Sequence, residues 1–112
     1  MSVTIYHNPR CSKSRQTLQL LQDNGIEPTI VEYLETPPNA AKLTEILAKM
    51  NKAPRDILRK KEAREEGIDT SLDGDALIEA LAAHPRALER PIVVSGDKAA
   101  MGRPPESVLD IL

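Results

Sequence analysis

The sequence predicts an α/β fold, a β-α-β unit and a closing β-β-α unit that share one mixed sheet, with a helical insertion between the second and third strands. Three observations lead there. Two β-branched apolar runs, residues 3–6 and 29–33, flank a stretch of helical periodicity. A strand, helix and strand within about 30 residues form a crossover unit, so these two strands should lie parallel with a right-handed connection. Near the C-terminus, Pro91-Ile92-Val93-Val94 is the strongest remaining strand, and Gly96-Asp97 turns it into a short strand at 99–101. Between the two halves only helical patterns occur.

Taken in order, residues 3–6 read as a short buried strand, stopped by Pro9, which lacks the donor a ladder needs. A helix follows Cys11, with Ser12 or Ser14 as its cap and Leu18, Leu20 and Leu21 as its apolar positions. Asn24-Gly25 stops it, since both residues tolerate the left-handed conformation. After Thr36-Pro37-Pro38, Asn39 can cap a helix whose Leu43, Ile46, Leu47 and Met50 recur at i, i+3, i+4 and i+7. A turn spans 54–58, a mixed-charge and solvated helical turn spans 60–66, and a third helix at 73–83 carries Leu77, Ile78 and Leu81. His84-Pro85 ends it. A last helix is expected over 107–112, with the preceding prolines suited to its first turn.

A chain of 112 residues is one domain, 1–112, large enough for a core without disulfide or metal. That core is aliphatic, because Phe and Trp are absent and only Tyr6 and Tyr33 are aromatic. A net charge of -2 argues against nucleic acid as a partner. No run approaches the ~18 apolar residues of a membrane span, and no signal-peptide pattern opens the chain. One cysteine excludes an internal disulfide and favours a reducing, cytoplasmic setting.

That cysteine sits in the loop His7-Asn8-Pro9-Arg10-Cys11-Ser12-Lys13-Ser14-Arg15, between the first strand and the first helix. Free cysteines are commonly small buried hydrophobes. Here the neighbours are polar, Arg10, Lys13 and Arg15 lie close in sequence, and a helix start adds partial positive charge; each favours the thiolate. The pattern is Cys-x-x-Ser, so a second thiol must come from another molecule. Ser14 can hydrogen-bond the thiolate or a bound anion, or simply cap the helix. His7 can tune the thiol or order the loop, and Asn8 can order the loop. His7 and Cys11 lack the further ligands of a metal site, so no metal is expected.

The motif His7-Asn8-Pro9-x-Cys11-x-x-Ser14-Arg15 resembles the glutaredoxin-coupled arsenate reductase family. The likeness continues at Tyr33-Leu34-Glu35-Thr36-Pro37-Pro38, Leu58-Arg59-Lys60, Arg90-Pro91-Ile92-Val93-Val94, Gly102-Arg103-Pro104 and Val108-Leu109-Asp110-Ile111-Leu112. The ordered set spans nearly the whole chain, which ends at Leu112 without the further C-terminal stretch of the family's longer members. The resemblance implies a thioredoxin/glutaredoxin-like fold with its core at about 1–35 and 88–112 and a helical insertion at about 37–86. It implies Cys11 as nucleophile, with Arg59, Arg90, Arg103 and Ser14 binding the anion. His7, Asn8, Arg15 and Pro91 support them, and Pro91 is in the cis form. It implies arsenate or a similar oxyanion as substrate, glutathione as co-substrate, glutaredoxin as partner, and no bound cofactor. Guanidinium forks match the oxygens of a tetrahedral anion. Read alone, Arg59 beside Lys60 and Lys61 is ordinary solvated charge, whereas Arg90 and Arg103 each precede a proline that can aim them.

Two other readings remain open on sequence. A glutathione-dependent thiol oxidoreductase acting on mixed disulfides fits Cys-x-x-Ser but has no need of three arginines. RNA-polymerase-binding redox regulators share the fold and several blocks, but commonly carry Cys-x-x-Cys.

Overall fold

Strand β1 (Val3–His7) is the axis of the sheet, paired on both sides. The computed structural model describes residues 2–112. The chain forms two compact units, Met1–Thr36 with Arg90–Leu112, and Pro37–Glu89. In the first unit β1 leads to α1 (Ser12–Asp23) and then β2 (Thr29–Glu32). Later come β3 (Ile92–Ser95), β4 (Lys98–Met101) and a 3-10 helix (Pro105–Ile111). The sheet order is β2-β1-β3-β4. As the β-α-β pattern requires, β1 and β2 are parallel, with Thr4 opposite Thr29 and His7 opposite Glu32. β3 runs antiparallel to β1, with Tyr6 opposite Ile92, and β4 returns antiparallel to β3, with Ile92 opposite Met101. The end of β1, the start of β3 and the end of β4 therefore meet at one edge of the sheet.

The core of this unit is Val3, Ile5, Leu21, Val93 and Val108, with Leu18, Leu20, Ile26, Ala100 and Ile111 packed against it. Alternation along β1 turns Val3, Ile5 and His7 inward. Of the three leucines expected to face the core from α1, Leu21 is fully buried while Leu18 and Leu20 are half-buried. The rest of the buried stripe is polar, Ser14 and Thr17. Gly25 takes the left-handed conformation after α1, with φ 77°.

Two expectations shift. Tyr33 is not in β2, which stops at Glu32; the Glu35 and Thr36 amides fold back onto the Glu32 carbonyl, at 2.9 and 3.0 Å. The terminal helix is 3-10, not α, and starts at Pro105. A short terminal segment opened by proline closes i→i+3 bonds, here from the Ser107 amide to the Pro104 carbonyl at 3.0 Å.

In the second unit α2 (Ala40–Met50) is capped by Asn39, whose side chain accepts from the Lys42 amide at 2.8 Å. Leu43, Ile46, Leu47 and Met50 are its buried face. α4 (Gly74–Ala83) follows the Asp73 cap, buries Leu77, Ile78 and Leu81, and packs against α2. Between them lie a 3-10 turn (Pro54–Ile57) and α3 (Lys60–Glu65). α3 is not wholly solvated, since Ala63 is fully buried. His84 ends α4, its Nδ1 3.5 Å from Glu66. No helix among the described residues is long and apolar enough to cross a membrane.

Candidate active site

The loop after β1 is built from its own backbone. The Cys11 amide donates to the Asn8 carbonyl at 3.0 Å, and Asn8 Oδ1 accepts from the Arg10 amide at 3.0 Å. This delivers Cys11, not Ser12 or Ser14, to the N-cap of α1, in extended conformation (φ -94°, ψ 125°). No side chain makes the usual cap hydrogen bond. Serine at 14 cannot serve as the cap because its hydroxyl is turned inward. It is fully buried, accepts from the Asn8 amide at 3.0 Å and bonds His7 Nδ1. What Ser14 offers the sulfur is its backbone N–H.

Cys11 is half-buried. Burial alone pushes its thiol up. Against this act the Ser14 amide, the hydrogen bond and charge of the Arg90 guanidinium, and the Lys13 amide, and the net shift is downward. The charges expected to do this from sequence proximity are not the ones that do. Arg15 Nη1 is committed to the Pro9 carbonyl at 3.0 Å, and Lys13 contributes its amide. The cation that acts beside the amides, Arg90, comes from just before the neighbouring antiparallel strand β3.

His7 faces inward at the end of β1. Burial lowers its pKa most, with Glu32 raising it and Arg15 lowering it further. The imidazole is therefore neutral near neutral pH, and its role in the loop is a hydrogen bond through Ser14 Oγ.

Arg103 arrives from the end of β4. Its Nε donates to the Arg90 carbonyl at 2.8 Å and its Nη2 lies 3.7 Å from Cys11 Sγ. Arg90 Nε is buried and has no acceptor among the described residues. The Arg90–Pro91 and Arg103–Pro104 bonds are both cis; the second carries no sequence signal beyond the Arg-Pro pair itself. Arg59, the remaining expected anion ligand, belongs to the second unit. Its Nη2 is 3.1 Å from Glu62 and its Nη1 3.1 Å from Glu89, and its amide donates to the Ala87 carbonyl at 2.8 Å. No group of three or more potential metal ligands occurs among the described residues.

Two features escaped the sequence reading. One is the bond between Arg103 and the Arg90 carbonyl, which joins residues 13 positions apart. The other is Gly102, pressed against Thr17 and Pro91. A glycine directly before an Arg-Pro step was the available signal.

A β-α-β unit with a thiol at the start of its helix, extended by an antiparallel hairpin, is the architecture of thioredoxin-like proteins, and the present fold is of that class. Within it the assignment is narrower: the ArsC family profile matches residues 6–111, and the chain belongs to that family. It is 53% identical to an Escherichia coli (strain K12) protein described as "Uncharacterized protein YfgD", over 98% of this chain and 96% of that one. It is 47% identical to the arsenate reductase of Neisseria meningitidis serogroup A, over 98% and 97%. The solved arsenate reductase from Vibrio cholerae superposes with a TM-score of 0.92 at 47% identity, over 100% of this chain and 98% of that one.

Proposed function

We propose that this protein is an arsenate reductase that works through a covalent Cys11 adduct, with glutathione and glutaredoxin as the external thiols, in the cytoplasm. The observation that carries the reading is the meeting of two guanidiniums, Arg90 and Arg103, at one thiol. A thiolate approaches an oxyanion only where cations offset the charge, and a disulfide substrate needs no such pair. The buried Arg90 Nε, with no acceptor among the described residues, suits an anion oxygen. The names of the Neisseria and Vibrio relatives point to the same substrate.

In the proposed reaction the Cys11 thiolate attacks arsenic and water or hydroxide leaves, forming a sulfur–arsenic bond. Glutathione then forms a second sulfur–arsenic bond as another arsenic–oxygen bond breaks and water leaves. Glutaredoxin then takes the glutathione sulfur as a mixed disulfide, so that two thiols supply the two electrons that carry As(V) to As(III). Hydrolysis of the remaining bond frees arsenite and returns Cys11. Arg90 and Arg103 hold the oxyanion, the Ser14 and Lys13 amides hold the sulfur as thiolate, and Pro91, Asn8, His7 and Arg15 shape the loop. Arg59 joins the anion set by the family resemblance, and must then exchange Glu62 and Glu89 for substrate oxygens.

An NADPH-coupled assay with arsenate, glutathione, glutaredoxin and glutathione reductase tests the proposal. Turnover that requires all of these and vanishes in Cys11→Ser supports it. Undiminished turnover by a folded Cys11→Ser protein ends it.

A further inference from the structure

After β4 ends at Met101 the chain passes α1 before it reaches Arg103. Gly102 is buried at that crossing. A Cβ built on it lies 2.5 Å from Thr17 Oγ1, 2.7 Å from Pro91 Cγ and 3.1 Å from Thr17 Cγ2. Ordinary contact starts near 3.4 Å, so a side chain at 102 forces a retreat of about 1 Å. Backbone conformation does not demand glycine here. The positive-φ glycines are Gly25, Gly67, Gly74 and Gly96. Closeness is the whole requirement.

Thr17 forms the other wall. It is fully buried, and its hydroxyl donates to the Lys13 carbonyl at 2.8 Å, which fixes the side chain. Thr17 is thereby tied to the turn whose Lys13 and Ser14 amides face the sulfur. On the opposite side the Gly102 amide donates to the Pro91 carbonyl at 2.9 Å, and the next residue, Arg103, grips the Arg90 carbonyl.

We propose that Gly102 and Thr17 are a positioning pair: the missing side chain at 102 seats the end of β4 on Thr17 and Pro91, and that seat sets where Arg90 and Arg103 stand relative to Cys11 Sγ. Both residues act through others. The inference rests on Cys11 being the reactive thiol of the reading above, and on no particular oxidised substrate.

The test compares wild type, Gly102→Ala and Thr17→Ala by iodoacetamide rate against pH and by arsenate kinetics. In folded Gly102→Ala the alkylation midpoint moves up toward the ~8.5 of a free cysteine. The KM for arsenate rises about 10- to 100-fold, as for misplacements near 1 Å, with a smaller change in kcat. Thr17→Ala moves both in the same direction by less. A merely structural contact would lower the melting temperature and leave both readouts unchanged, and that result overturns the proposal. Should Gly102→Ala not fold, Thr17→Ala decides alone: a wild-type midpoint and KM in that folded variant overturn it. If the wild type reduces no arsenate, the proposed function falls, while the alkylation comparison still decides the positioning role.

Discussion

Helices α1 and α2 begin in opposite ways. At α2 an asparagine stands at the N-cap and its side-chain oxygen takes the Lys42 amide, satisfying a donor that the helix itself cannot. At α1 the same position holds Cys11, and no side chain closes the cap. One start is sealed for stability. The other leaves its amides facing a sulfur, where they favour charge on it. The difference teaches that a helix start can be spent on holding the helix or on activating a group, and that one atom type at one position decides which.

The largest expected effect comes from converting the second kind of start into the first. Cys11→Ser places a competent capping hydroxyl on α1, so the melting temperature holds or rises, while arsenate turnover falls on the order of 10³-fold or more; calorimetry beside the coupled assay reads both. Next is Arg103→Ala, which strips one guanidinium from the thiol and lowers kcat/KM by about 10²- to 10³-fold with α1 intact. Arg59→Ala costs less, about tenfold in kcat/KM, because two carboxylates already engage that side chain; a loss equal to that of Arg103→Ala would show that Arg59 contributes as much as the arginine at the sulfur. Removing the sealed cap, Asn39→Ala, destabilises by about 1 kcal/mol in denaturant titration and leaves the Cys11 alkylation rate unchanged.

The smallest effect belongs to His7. Its folded pKa is depressed below 6.5, chiefly by burial. As pH falls below that value the unfolded chain takes up a proton that the folded state resists, so stability is lost as pH drops toward the folded pKa. Wild type should therefore lose more stability between pH 7 and 5 than His7→Asn, measured by urea titration at each pH. Equal losses would show that the ring contributes nothing to acid sensitivity.

The elements were legible because they follow period and punctuation. Leu43, Ile46, Leu47 and Met50 marked α2, and Asn39 marked its cap; the parallel pairing of β1 and β2 followed from their spacing. The start of α1 was misread for a physical reason. Ser12 and Ser14 are better capping residues than cysteine by propensity, but Ser14 is drawn inward by His7 and Asn8. The source of the thiol's activation was legible in part: the helix start acts as expected, through the Ser14 and Lys13 amides, but for the cation local sequence pointed to Arg10, Lys13 and Arg15. The cation that acts, Arg90, is brought in by the antiparallel pairing of β3 with β1, which no local window contains. Arg90 and Arg103 were visible as candidates through their prolines. Their mutual bond was not.

Arg103 lies 92 residues beyond Cys11. A ribosome therefore releases the thiol long before β3 and β4 exist to bring arginines to it. In the open chain Cys11 has the modest acidity of any cysteine. The Ser14 and Lys13 amides act on it once α1 forms, and the guanidiniums of Arg90 and Arg103 join them only when the last strands close the sheet. Full activation and completed folding thus arrive together, and a copy that lacks the last strands carries a thiol without its guanidiniums.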